Sequence, residues 1–140
     1  MADLVYNAFK RHLGSGLVDM EADPFRIVLL GEGYVPDAHH AVLADVIGHE
    51  VPDGNGYSAG GRELANTVWV QDGERVRFDA DDVQWTDATF SARHAAIHVA
   101  KPLAGAVNPL VCLLDFAALK TVSAGTFTVR FNADGILSLS

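Results

Sequence analysis

Six histidines, His12, His39, His40, His49, His94 and His98, are the residues of this chain best suited to chemistry. Neutral imidazole ligates transition metals, and near neutral pH it carries protons. The spacing argues against both uses. His94 and His98 fall on one face of an extended segment about 13 Å apart, too far to share an ion. His39 and His40 are adjacent and point apart on a helix, and His49-Glu50 lacks the second histidine of a zinc-protease helix. Solvent-exposed or interface histidines are the simpler reading. Asp79-Ala-Asp81-Asp82 begins like a calcium loop, but positions six and twelve are Gln84 and Phe90, where glycine and a carboxylate are required. Hydrogen-bonded turn aspartates account for it. Gly54-Asn-Gly56-Tyr-Ser-Ala59 imitates a dinucleotide fingerprint but follows Pro52-Asp53 rather than a strand. Cys112, the single cysteine, lies in the apolar run Leu110 to Leu114 and reads as a buried hydrophobe. Trp69 and Trp85 with Tyr57 are either a sugar-binding groove or part of the core. No catalytic residue, cofactor or metal ligand is assigned, and the chain is expected to be non-enzymatic.

The elements that hold these residues are mostly strands. Residues 3 to 13 carry Leu4, Val5, Ala8, Phe9 and Leu13 at helical spacing, with Asp3 as cap and Gly14-Ser-Gly16 as terminator. Phe25 to Leu30 is an apolar, β-branched run that fits a buried strand. Asp37 to Ile47 is predicted as a second short helix capped by Asp37. Pro52 to Gly61 has five glycines or prolines in ten positions and reads as a loop. Beyond it come predicted strands at Leu64 to Gln71, Glu74 to Asp79, Val83 to Trp85, Thr89 to Ala100, Leu110 to Phe116, Thr126 to Asn132 and Ile136 to Ser140. Asp72-Gly73 suits a type I′ hairpin turn, and Ala133-Asp-Gly135 joins the last two strands. In Thr89 to Ala100, alternation puts Phe90, Ala92, His94, Ala96 and His98 on one face. The fold class is therefore mainly β: one domain, 1–140, an antiparallel sandwich or small barrel with one or two short helices in its N-terminal third.

Composition narrows the partners. Ten Lys and Arg against 18 Asp and Glu give a formal charge of −8, and the largest basic cluster is Lys10-Arg11-His12. Nucleic-acid binding relies on phosphate neutralisation and is not expected, nor is binding to an anionic membrane. No signal-peptide pattern or stretch long enough to span a bilayer is found, so synthesis in a cytoplasm is the expectation. Protonating all six histidines would take the charge from −8 to −2. Mild acid should then relax repulsion between copies if the histidines are exposed, or loosen the fold if they are buried.

Over nearly its whole length the chain resembles a group of small virion-associated proteins of tailed bacteriophages and prophages. The resemblance is carried by Tyr6-Asn-Ala-Phe9, Tyr34-Val-Pro-Asp-Ala-His39, Gly56-Tyr-Ser-Ala-Gly-Gly61, Phe78-Asp-Ala-Asp-Asp-Val-Gln-Trp85, Ala92-Arg93, Pro109-Leu110, Asp115-Phe116, Gly125-Thr-Phe-Thr-Val129 and Gly135-Ile-Leu137. It departs from that pattern at His94 and His98, where smaller or aromatic residues are expected, and at Ala117, where glycine is. The resemblance implies a structural protein of the virion, made in the host cytoplasm. A capsid decoration (cement) protein, held on the outside of the major capsid shell, is the first reading; a tail or tail-fibre component, or a carbohydrate-binding module, are the alternatives. Its partners would be the major capsid protein or other virion proteins and further copies of itself, most simply as a trimer. The loops Tyr34 to His40 and Pro52 to Gly61 are assigned to those contacts, through Tyr34, Pro36, His39, His40 and Tyr57.

Overall fold

A computed structural model describes residues 2–140 and consists of two antiparallel sheets. In chain order the elements are β1 (Leu4–Val5), α1 (Asn7–Gly14), β2 (Phe25–Leu30), β3 (Arg62–Glu63), β4 (Val68–Asp72), β5 (Arg75–Asp79), β6 (Val83–Val99), β7 (Leu110–Val129) and β8 (Leu137–Leu139). The larger sheet has the order β1-β7-β6-β2-β3 and the smaller one β4-β5-β8. The mainly β class read from the sequence is the class observed, and the architecture is a small sandwich.

β2 explains the layering. Phe25, Ile27 and Leu29 point to one face, where they meet Phe78 of the small sheet, Phe9 of α1 and Trp85. Val28 and Leu30 point to the other face and join Tyr6, Tyr34, Val46 and Leu113. A strand covered on both faces reads as a continuous apolar run, because neither side of the pleat faces water. The Phe25 and Phe78 rings, 4.8 Å apart, hold the sheets together. β5 turns Phe78 inward while Arg75 and Arg77 stay partly exposed.

Several boundaries differ from the sequence reading. Residues 3 to 13 split: Leu4–Val5 pairs with β7, and the helix starts after Tyr6, which makes no side-chain cap. Asp3 instead accepts the Asp115 N–H at 2.7 Å. Asp37 to Ile47 is not a helix but a loop with two short 3-10 turns, Leu43–Asp45 and Ile47–His49. Its backbone is bonded elsewhere: the Ala41 and Val42 N–H groups go to Asp45 Oδ2, and the Ala41 carbonyl accepts Leu110 N–H. The β4–β5 turn is Gly73-Glu74, one residue on, with positive φ at Gly73 alone, which does not fit a type I′ turn. The strands predicted at Leu110 and Thr126 form one strand, as do those at Val83 and Thr89. β8 pairs with β5 and not with the strand before it. Ile136 and Leu137 are buried, whereas Leu139 is half exposed.

The β6–β7 ladder also departs from simple alternation. Ala92 pairs with Lys120 and His94 with Asp115, so four residues of β7 lie opposite Arg93 alone. The bulge reverses the inward face: Ala88 and Ala92 pack toward the small sheet, but beyond it Ala95, Ile97 and Val99 do so, and Ala96 joins the opposite side. Ala117, at the position where glycine was expected, has φ +67°. That left-handed conformation costs a residue with a Cβ about 1 kcal/mol.

His94 and His98 are buried, at 3% and 2% exposure, which corrects their reading as solvent or interface groups. Burial is the main cause that lowers both pKa values; for His94 it outweighs Asp115 at 3.9 Å, with Arg93 adding to the lowering, and for His98 Arg26 acts in the same direction. His98 Nδ1 lies 3.0 Å from the Val99 carbonyl oxygen, the geometry of a donated hydrogen bond, while His98 Nε2 and His94 Nδ1 have no partner. With the folded pKa depressed, the unfolded chain takes up protons first as pH falls below about 6.5, and stability present above that value is lost. With His94 and His98 buried, a folded copy does not reach the −2 that charging all six histidines would give. The urea midpoint, followed by circular dichroism, is expected to fall between pH 7 and 5, and less so in His98→Phe. An unchanged midpoint in the parent chain would contradict this.

Candidate docking surface

The segment 31–49 crosses the face of the large sheet that the small sheet leaves free, and Tyr34 anchors it. Tyr34 is 3% exposed, and its Oη lies 3.0 Å from Tyr6 Oη and 2.9 Å from His40 Nδ1. Its ring packs against those of His40, His49 and His94, the last edge-on at 5.7 Å. Burial raises the pKa of both tyrosines, so they serve as neutral hydrogen-bonding groups. Asp37 accepts the His39 N–H, which lowers its pKa, and Asp45 is held low first by the Ala41 N–H. Backbone bonds fasten the loop at both ends and in the middle: Gly31 N–H to the His49 carbonyl, Leu43 N–H to Asn108 and Asn7 N–H to Ala38.

This framework holds apolar side chains out in solvent. Val35, beside the buried Tyr34, is 76% exposed, Val107 in the β6–β7 turn 61% and Ile47 39%. Two clefts flank the 3-10 turns. One of about 420 Å³ has Tyr34, Pro36, His40 and His49 in its walls; the other, about 410 Å³, is lined by Leu43, Ile47 and Val107. Isolated exposed valines are ordinary, but Val35 in the wall of one cleft and Ile47 with Val107 in the wall of the other, on hydrogen-bonded loops, make a surface suited to a partner.

The five contact residues assigned from sequence separate here. Pro36 and His39 are exposed and His40 is half-buried, all on this surface. Tyr34 is buried beneath it, acting as its support. Tyr57 is elsewhere and 2% exposed: its ring packs on Trp85 and Phe90, and its hydroxyl donates to Glu50. Neither tyrosine presents its ring to a partner. With Trp85 at 3% exposure, the sugar groove of Trp69, Trp85 and Tyr57 does not exist as a surface. Val107 and Ile47 escaped the sequence reading. Pro109-Leu110 carried part of the resemblance, but nothing marked the neighbouring turn as a contact surface.

Other candidates resolve into structure. Asp79, Asp81 and Asp82 bond Ala80 N–H, the Asn66 amide and Phe131 N–H, as turn aspartates do. Among the described residues no group of three or more His, Cys, Asp or Glu is arranged to hold a metal. Cys112 is fully buried, and burial pushes its thiol up to about 12, far from a thiolate nucleophile. No helix is long and apolar enough to cross a membrane among the described residues. In comparisons with known proteins, the chain matches no family model, no curated protein and no solved structure.

Proposed function

We propose that this chain is a non-enzymatic structural protein of a tailed-phage particle, a decoration protein that binds the outside of the major capsid shell. The observation that carries the docking part of this reading is the exposed apolar set Val35, Ile47 and Val107, held on loops that backbone bonds and the Tyr34–Tyr6 pair keep in place. The virion assignment itself rests on the ordered segments that resemble phage structural proteins. A net charge of −8 suits an outer surface that must not adhere to packaged DNA. The partners on this reading are the major capsid protein and further copies of the chain, with no nucleic acid or membrane involved.

Burying a valine is worth about 1.5 kcal/mol or more, which is about tenfold in affinity. Val35→Asp and Val107→Asp are each expected to lower occupancy on purified particles about tenfold, with an unchanged circular dichroism spectrum. Occupancy at the parent level in both variants would remove this surface from consideration. Mass-spectrometric stoichiometry decides the location: copy numbers in the hundreds fit a shell, and a handful per particle would move the protein to the tail.

A further inference from the structure

β7 has a long edge with no strand beside it. β1 pairs with β7 only at Cys112 and Leu113, so from Phe116 to Val129 β6 is the sole strand neighbour among the described residues. The far edge of β6 over this stretch is covered: Thr89 N–H donates to the Asn55 carbonyl, the Arg62 guanidinium to that of Gln84, and Gly56 packs against Ala88. Among the described residues β7 has no equivalent cover. Between the irregular positions Ala117 and Ala124, both with positive φ, Lys120 to Val122 runs along β6 in regular register, with Ala92 opposite Lys120, Ser91 opposite Thr121 and Phe90 opposite Val122. Its outward backbone groups are unpaired among the described residues, and exposed edges of this kind recruit further strands.

Charge identifies the occupant. The paired stretches Val83 to Arg93 and Asp115 to Val129 contain Asp87, Asp115, Arg93 and Lys120 and are neutral, in a chain whose total is −8. Two copies repel one another over most of their surface but not along this edge. We propose that β7 pairs edge to edge with β7 of a second copy, antiparallel, with Thr121 on the two-fold axis. In a continued sheet, paired residues share a face, so the axis must pass through a residue rather than between two. Centring on Lys120 would bring two ammonium groups together, and centring on Val122 would place Lys120 opposite the irregular Ala124. At Thr121, Lys120 lies opposite Val122 of the second copy and the two threonines face each other, a favourable cross-strand pair. Such a contact is self-complementary and closes as a dimer.

The proposal is independent of the virion reading, since it concerns the isolated chain. Sedimentation equilibrium of the purified protein is expected to give a reversible dimer. Thr121→Glu and Thr121→Lys, each placing like charges on the axis, are expected to raise the dissociation constant at least about tenfold while circular dichroism stays unchanged. An equimolar mixture of the two variants is expected to restore the dimer, which separates the interface from any effect on folding. A parent chain monomeric at every concentration, a trimer, or a Thr121→Glu variant that dimerises like the parent would each overturn the proposal.

Discussion

Gly61→Ala is expected to lower stability by about 4 kcal/mol, a large part of what a domain of this size possesses. Gly61 sits where the loop enters β3, with φ +71°, and a Cβ there would fall 1.8 Å from the Ile27 carbonyl oxygen and 2.8 Å from its carbon. Both belong to the backbone of β2, the strand with both faces in the core, so rotating a side chain cannot relieve the overlap. Either β3 leaves β2 or β2 shifts against β6. Gly73→Ala is the control. Gly73 has a similar φ of +65° but nothing within 4 Å of the added carbon, so only the left-handed strain of about 1 kcal/mol applies. Urea denaturation of the two variants reads the difference directly. If they prove equally stable, close backbone approach is not why glycine occupies position 61.

Tyr57→Phe is expected to cost about 2–3 kcal/mol. The Tyr57 hydroxyl accepts the Leu29 N–H at 3.1 Å and donates to Glu50 Oε2 at 2.5 Å, and the same oxygen accepts the Gly60 N–H at 2.8 Å. One hydroxyl thus ties β2 to both ends of the loop that leads to Gly61. Removing it strands a buried backbone donor and takes a partner from a half-buried carboxylate, and hydrogen bonds to charged groups are the stronger kind. Tyr6→Phe offers the comparison. Its hydroxyl meets only the neutral hydroxyl of Tyr34, which keeps His40, so a loss of about 1 kcal/mol is expected there. Equal losses in the two urea titrations would show that the Glu50 link adds nothing.

Local rules located the strands well and the long-range features poorly. The β class, the buried run at β2 and the inward Phe78 follow from apolar periodicity, which each strand carries in its own residues. Asp37 to Ile47 failed because its alanines and valines favour a helix locally, while the carboxylate of Asp45 and the backbone of Leu110 take the hydrogen bonds a helix would use. The histidines were misjudged because Arg93 marks a bulge, and after a bulge the alternation of faces begins again out of phase. The turn Ala133-Asp134-Gly135 was legible as the connection into β8, but the pairing of β8 with β5 is not encoded in it. At the docking surface, the sequence marked Pro36, His39 and His40. Val107, some sixty residues from Ile47, lines the same cleft only through the bonds between segments 41–43 and 108–110.

Trp85 gives these questions a built-in optical answer. Its indole is 3% exposed, lies 6.0 Å from the Tyr57 ring and 6.3 Å from that of Phe127, and its Nε1 has no hydrogen-bond partner. An indole held dry and without a partner emits at short wavelength, and water entering the space around it moves the emission to the red. Trp69, half-buried on the small sheet, already meets solvent and changes less. The chain therefore carries its own dye, placed where the Tyr57 loop, β6 and the outer half of β7 converge.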